Sequence, residues 1–338
     1  TEYFFKTVTN AIAYNNGDVE DFGEVGFKAP NDLTFEIHLD NPNPVLLRYL
    51  DQPSFYPVHQ ATIEAHGTIG ERGTNWIRPE NMVGNGAFRL TEWGVNTVVS
   101  MDPNPHYWDR DAVRLKQVHF YPIENTDTQY RAYQNGQVHV ALHIPLHVIM
   151  QLEQTLPPDY RNPLIYAVYF YVFNTTRPPF DNLRVRKALS LAIDRKEIVE
   201  QVTQGGQIPA YSLVPPNANN YEPAATVTED VNEARRLLAE AGFPGGEGLP
   251  TIEFIYNTAD NHKKIAESIQ QMWKSELGVN IELVNMEWKV FLDRKNTGDF
   301  HLARFGWGSD TDFGGYLSLL QTDSGNNASG WSNKRFDE

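Results

Sequence analysis

The last third of the chain switches hydrophobic period four times, and this limits its fold more than any other feature. Residues 251–256 alternate as a strand. Residues 261–276 set Ile265, Ile269 and Trp273 on one helical face, closed by Gly278. Residues 279–284 read as a strand, 288–294 as a helix and 300–305 as a strand. Strand, helix, strand, helix, strand is the grammar of an α/β sheet. Such sheets gather functional groups just outside their strand ends, where Asn257 and the run Gly306–Asp310 fall.

The earlier segments are less regular. Residues 33–39 alternate as a strand that Asn41-Pro42-Asn43-Pro44 breaks. Short strands are expected around Phe88-Arg89-Leu90, Val98-Val99-Ser100-Met101 and Val118-His119-Phe120-Tyr121, then a helix over 128–135 and a further strand over 138–141. The longest apolar run, 164–173, reads as a buried strand. Residues 185–201 read as one amphipathic helix, and 229–241 as another with acidic residues at its start and Gly242 at its end.

At 338 residues the chain is too long for one ordinary core, so two or three domains are expected. A net charge of −15 disfavours nucleic acid and anionic membrane surfaces. No apolar run approaches a membrane span. The absence of cysteine excludes disulfides, zinc ribbons and a thiol nucleophile.

Arg304-Phe305-Gly306-Trp307-Gly308-Ser309-Asp310 carries the tools for holding a small zwitterion. Arg304 can fork onto a carboxylate, and Asp310 can accept from an ammonium. Gly306 and Gly308 leave their backbone open to close approach. Enzyme motifs fail one by one. There is no His-Glu-x-x-His, no P-loop and no Gly-x-Ser-x-Gly elbow, and Gly84-Asn85-Gly86 has Arg89 where a dinucleotide loop needs its third glycine. Asp310-Thr311-Asp312 starts like a calcium loop, but Gln321 stands where its bidentate Glu belongs. Ser309 has no nameable base. Nothing asks for a metal or cofactor.

Several segments, in order, resemble one family. They are Val83-Gly84-Asn85-Gly86-Ala87-Phe88, Trp93, Asn104-Pro105-His106-Tyr107-Trp108-Asp109, and Phe173-Asn174 with Pro178-Pro179-Phe180-Asp181-Asn182-Leu183-Arg184-Val185-Arg186-Lys187-Ala188-Leu189. Ala192-Ile193-Asp194-Arg195, Pro209-Ala210-Tyr211-Ser212, the run Trp307–Asp310 and Asp323-Ser324-Gly325-Asn326-Asn327 continue it. Together they resemble the OppA-like oligopeptide-binding proteins of ABC importers, extracellular solute-binding family 5. The resemblance implies an α/β fold of periplasmic-binding-protein type II, multi-lobed like a flytrap, with mixed sheets and flanking helices. Residues 1–42 would be the end of lobe II, 43–195 the central part of lobe I and 196–338 most of lobe III. The family's export signal, first strands and final segment have no counterpart, and the chain starts at Thr1, so it reads as a fragment.

The resemblance also implies roles. Asp310 would clamp a peptide's α-ammonium, and Gly306 and Gly308 would pair with the peptide as an added strand. Arg304, Lys295 and His262 would meet the peptide carboxylate, depending on peptide length. Lys295 departs from an Arg sometimes found there. Trp288 and Trp307 would wall side-chain pockets, and Tyr169 and Tyr171 would line the cleft. The plainer alternatives are that Arg304 and His262 are surface residues and Trp288 is core. The implied protein is no enzyme. It is a monomeric receptor, periplasmic or on the outer face of the cytoplasmic membrane, that delivers short peptides to an ABC transporter permease. The alternative is the same receptor holding a murein peptide, nickel chelate, sugar or signalling peptide, of which Asp310 disfavours the sugar.

Overall fold

A computed structural model describes residues 2–71, 73–216, 221–308 and 314–338. Two compact units divide the chain: Thr1–Tyr49 together with Leu146–Glu338, and Leu50–Pro145. The larger unit includes an antiparallel ribbon of β1 (Phe27–Asn31) and β2 (Thr34–Ile37).

The smaller unit holds an antiparallel sheet of β3 (Phe88–Gly94), β4 (Val98–Pro103) and β5 (Val118–Phe120). Its register puts Trp93, Val99 and Phe120 in one row and Glu92, Ser100 and His119 in the next, so the two rows face opposite sides. In the polar row, Ser100 Oγ donates to Glu92 Oε2 at 2.9 Å and lies 3.0 Å from His119 Nδ1. Buried Asn104 donates to the Gly84 and Gly86 carbonyls at 3.1 and 2.9 Å, pinning that loop as a turn. Helix α1 (Thr126–Gln134) follows, capped by Asn125. The strand expected over 138–141 does not form: the segment is irregular, and its Val140 and Leu142 are exposed. Local apolar pattern had no neighbouring strand to pair with there.

The larger unit is built on a four-stranded mixed sheet, in the order β6 (Ala167–Phe173), β9 (Leu302–Gly308), β7 (Ile252–Asn257), β8 (Ile281–Met286). The β7–β8 and β7–β9 pairs are parallel, and β6–β9 is antiparallel. Helices α2 (Leu183–Leu191), α3 (Val231–Glu240) and α4 (Asp260–Leu277) bury Leu189, Leu238, Ile269 and Trp273 against Phe254, Tyr256 and Leu302 on one face. On the other face, α5 (Trp288–Asn296) packs Phe291 against Ile255, Phe300 and Ala303. The period switches of the last third thus give the expected strand and helix sequence.

One expectation changes. The helix read over 185–201 breaks after Leu191, because the Asp194 side chain accepts from the Glu197 N–H at 2.8 Å and starts a new turn. The first of the two units takes in residues on both sides of 42/43 and of 195/196. β6 joins the sheet of the last third, and the fully buried Trp273 donates from Nε1 to the Leu189 carbonyl at 2.9 Å.

Candidate functional site

The Arg304–Asp310 run lies on β9, which continues through Gly308 rather than stopping at Phe305. Ser309 and Asp310 lie outside the described residues. The β6–β9 ladder spans the strand from Phe173↔Leu302 to Ala167↔Gly308, whereas the β7–β9 ladder covers only Phe254↔Leu302 and Ile255↔Ala303. The Asn174 N–H donates to the His301 carbonyl at 2.9 Å, which sets the parity of the antiparallel ladder. His301, Ala303, Phe305 and Trp307 turn their backbone groups to β6, and Gly306 and Gly308 turn theirs away. Among the described residues, no strand lies beside those outward N–H and C=O groups.

Neither glycine has a left-handed φ. A Cβ at Gly306 would meet Arg304 Nη2 at 3.5 Å and the Val168 carbonyl at 3.6 Å, and one at Gly308 would meet Ala167 Cβ at 3.4 Å. These are ordinary contacts. The chain's own packing does not demand glycine here, so the bare backbone leaves room for something outside it.

The same parity sorts the side chains. Arg304 shares a sheet face with Tyr169 and Tyr171, and His262 joins them from the first turn of α4. The Arg304 guanidinium lies 5.0 Å from the Tyr169 ring centroid, Tyr169 OH is 3.4 Å from His262 Nδ1, and the two tyrosine rings are 6.0 Å apart. Burial, with the charge of Arg304, lowers the His262 pKa to about 4, so its imidazole is neutral at pH 7. Burial raises the Tyr169 pKa to about 12 and holds Tyr171 well above the usual phenol range, so both act as O–H donors. Arg304 Nε and Tyr171 OH are buried without a hydrogen-bond partner among the described residues. Unused donors around one cation suit a carboxylate.

The other sequence candidates lie on the opposite face. Lys295 Nζ sits 4.6 Å from the Phe305 ring centroid, its pKa lowered by burial. Trp307 packs against the cluster of Val168, Val214 and Tyr316, with Nε1 buried and unpartnered among the described residues. Trp288 is 50% exposed and stacks on Phe291 at 5.8 Å. The structure therefore brings Arg304, Tyr169, Tyr171 and His262 together. Lys295, Trp307 and Trp288 stand across the strand from them, and Gly306 and Gly308 form the edge. Asn257 had no role in the sequence reading beyond its place at a strand end. It ends β7 with a buried Oδ1 that has no partner among the described residues.

Comparison with known proteins agrees with this architecture. The chain belongs to the bacterial extracellular solute-binding proteins, family 5, whose middle segment it matches over residues 2–329. It is 36% identical to the periplasmic oligopeptide-binding protein OppA of Salmonella typhimurium, over 93% of this chain and 58% of that protein. It is also 36% identical to the Escherichia coli periplasmic protein YgiS, named as a "probable deoxycholate-binding" protein, over 98% of this chain and 61% of that one. It superposes on the Escherichia coli murein tripeptide binding protein MppA with a TM-score of 0.91 at 31% identity, covering 100% of this chain and 67% of that one. The chain thus has the α/β fold of the type II periplasmic binding proteins, and it spans about 58% of the Salmonella protein's length. Among the described residues, no helix is long and apolar enough to cross a membrane.

Proposed function

We propose that this protein is a non-enzymatic, extracytoplasmic receptor that captures short peptides as a monomer and passes them to an ABC transporter permease. The observation that carries this reading is the free outer edge of β9. Gly306 and Gly308 offer backbone N–H and C=O groups to an extended chain, which would add as a strand. Backbone pairing gives affinity without side-chain choice. Arg304, with Tyr169, Tyr171 and His262 around it, receives the peptide carboxylate. Asp310 clamps the α-ammonium, a role that rests on the family resemblance. Lys295, on the other face, receives the carboxylate of peptides of a different length, and Trp288 and Trp307 wall side-chain pockets. The lobe assignment of 1–42, 43–195 and 196–338 belongs to the same reading. So does residence in the periplasm or on the outer face of the cytoplasmic membrane.

Titration calorimetry with trialanine tests it. Binding is expected, and Arg304→Ala should weaken it by about 2–3 kcal/mol, the worth of a charge-assisted hydrogen bond. Unchanged affinity in a folded Arg304→Ala protein rejects the carboxylate role, and no binding to the parent protein rejects the peptide-receptor reading.

A second reading keeps the receptor and changes the ligand. The kinship to a protein named for deoxycholate, which has a carboxylate and no ammonium, favours it. Under this reading N-acetyl-trialanine binds as well as trialanine, because Arg304 alone anchors the ligand.

A further inference from the structure

We propose that capture of a ligand carboxylate by Arg304 is coupled to uptake of one proton by His262, so that such ligands are held more tightly as the medium acidifies. The inference rests on the receptor reading above and adds a regulation to that site. His262 and Arg304 come from different elements, α4 and β9, and meet on one phenol. Tyr169 OH is 3.4 Å from His262 Nδ1, with the rings 5.6 Å apart, and the Arg304 guanidinium is 5.0 Å from the same ring. Among the described residues, the phenols of Tyr171 of β6 and Tyr256 of β7 also lie on this face. On α4 itself, Asp260 and Lys263 flank His262, and Lys263 Nζ lies 3.8 Å from Glu267 Oε1. Among the described residues, no carboxylate pairs with either His262 or Arg304.

Two causes hold the imidazole neutral: loss of water around it, and the positive charge of Arg304. A carboxylate on Arg304 removes the second cause by cancelling that charge, and it adds a negative group beside the ring. A proton from solvent then adds to the unprotonated ring nitrogen, giving imidazolium, with no other covalent bond made or broken. The sign follows from linkage. The free protein holds the His262 proton only below about pH 4. A bound carboxylate moves that midpoint up toward the ordinary histidine range near 6.5. Between these values the complex binds more protons than the free protein, so affinity rises as pH falls, by at most about tenfold per pH unit for one proton.

The test is calorimetry of trialanine from pH 7 to pH 5, above the range where its own carboxyl titrates. At pH 5.5 it is repeated in two buffers of different ionisation heat, to count protons. The expected result is an affinity gain of about tenfold across the range with net proton uptake. Trialanine amide, which lacks the carboxylate, should show neither, and His262→Gln should flatten the trialanine slope. A flat slope with no proton uptake for trialanine on the parent protein overturns the proposal. So does equal uptake with the amide, a measurement that needs no variant to fold. Trialanine failing to bind at any pH overturns the peptide-receptor reading and this inference with it.

Discussion

An alanine methyl at Gly306 would touch Arg304 Nη2 at 3.5 Å and the Val168 carbonyl at 3.6 Å, so the strand has space for it. Gly306→Ala should therefore leave the urea unfolding free energy within about 1 kcal/mol of the parent. It should weaken trialanine by about tenfold or more, because the methyl projects beside Arg304 on the face that receives the carboxylate. A large stability loss with unchanged affinity would mean that the glycine serves the fold instead. Residue types alone marked Arg304, Gly306 and Gly308 as candidates for binding chemistry. Their grouping could not be read from residue types. It depends on β-strand parity, which sends Arg304 to the Tyr169 face and Trp307 to the Val214–Tyr316 face. Lys295 has the same charge as Arg304, yet it lies over Phe305 on the far side because α5 packs there.

At the scale of elements, β9 is aimed by a polar clasp at its start. Buried Asn174, directly after β6, donates from Nδ2 to the Gly298 and Phe300 carbonyls at 3.0 and 3.1 Å and accepts at Oδ1 from the Thr176 N–H and Oγ1. Its side chain closes the turn that enters β9 and holds the loop that leaves β6. Asn174→Ala leaves those carbonyls unsatisfied and should destabilise the protein by about 2–3 kcal/mol in urea titration. Asn174→Asp keeps the Oδ1 contacts, loses both donated bonds and should also destabilise. A loss below about 0.5 kcal/mol in both variants would show that the clasp is dispensable. The strands and helices of the last third were legible because each is long and strongly periodic. The antiparallel pairing of β6 with β9 was not, because partners such as Tyr171 and Arg304 are far apart in sequence and nothing local records the match. The failed strand at 138–141 is the converse case, an apolar pattern without a neighbour to satisfy its backbone.

For the molecule as a whole, the sheet of the larger unit is complete at its base and incomplete at one corner. All four strands ladder at the level of Phe254 and Leu302, but beyond Ala303 only β6 accompanies β9 among the described residues. A ligand that enters as a strand therefore becomes part of the sheet, and hydrogen exchange can read it one amide at a time. Without ligand, the Phe305 and Trp307 amides should exchange slowly through their bonds to β6, and the Gly306 and Gly308 amides should exchange fast. A peptide laid along the edge should slow the two glycine amides and leave their neighbours unchanged, an alternating pattern along one strand. A ligand that only fills a pocket near Arg304 would slow no such alternate set. Exchange rates would then distinguish a receptor that reads backbone from one that reads shape.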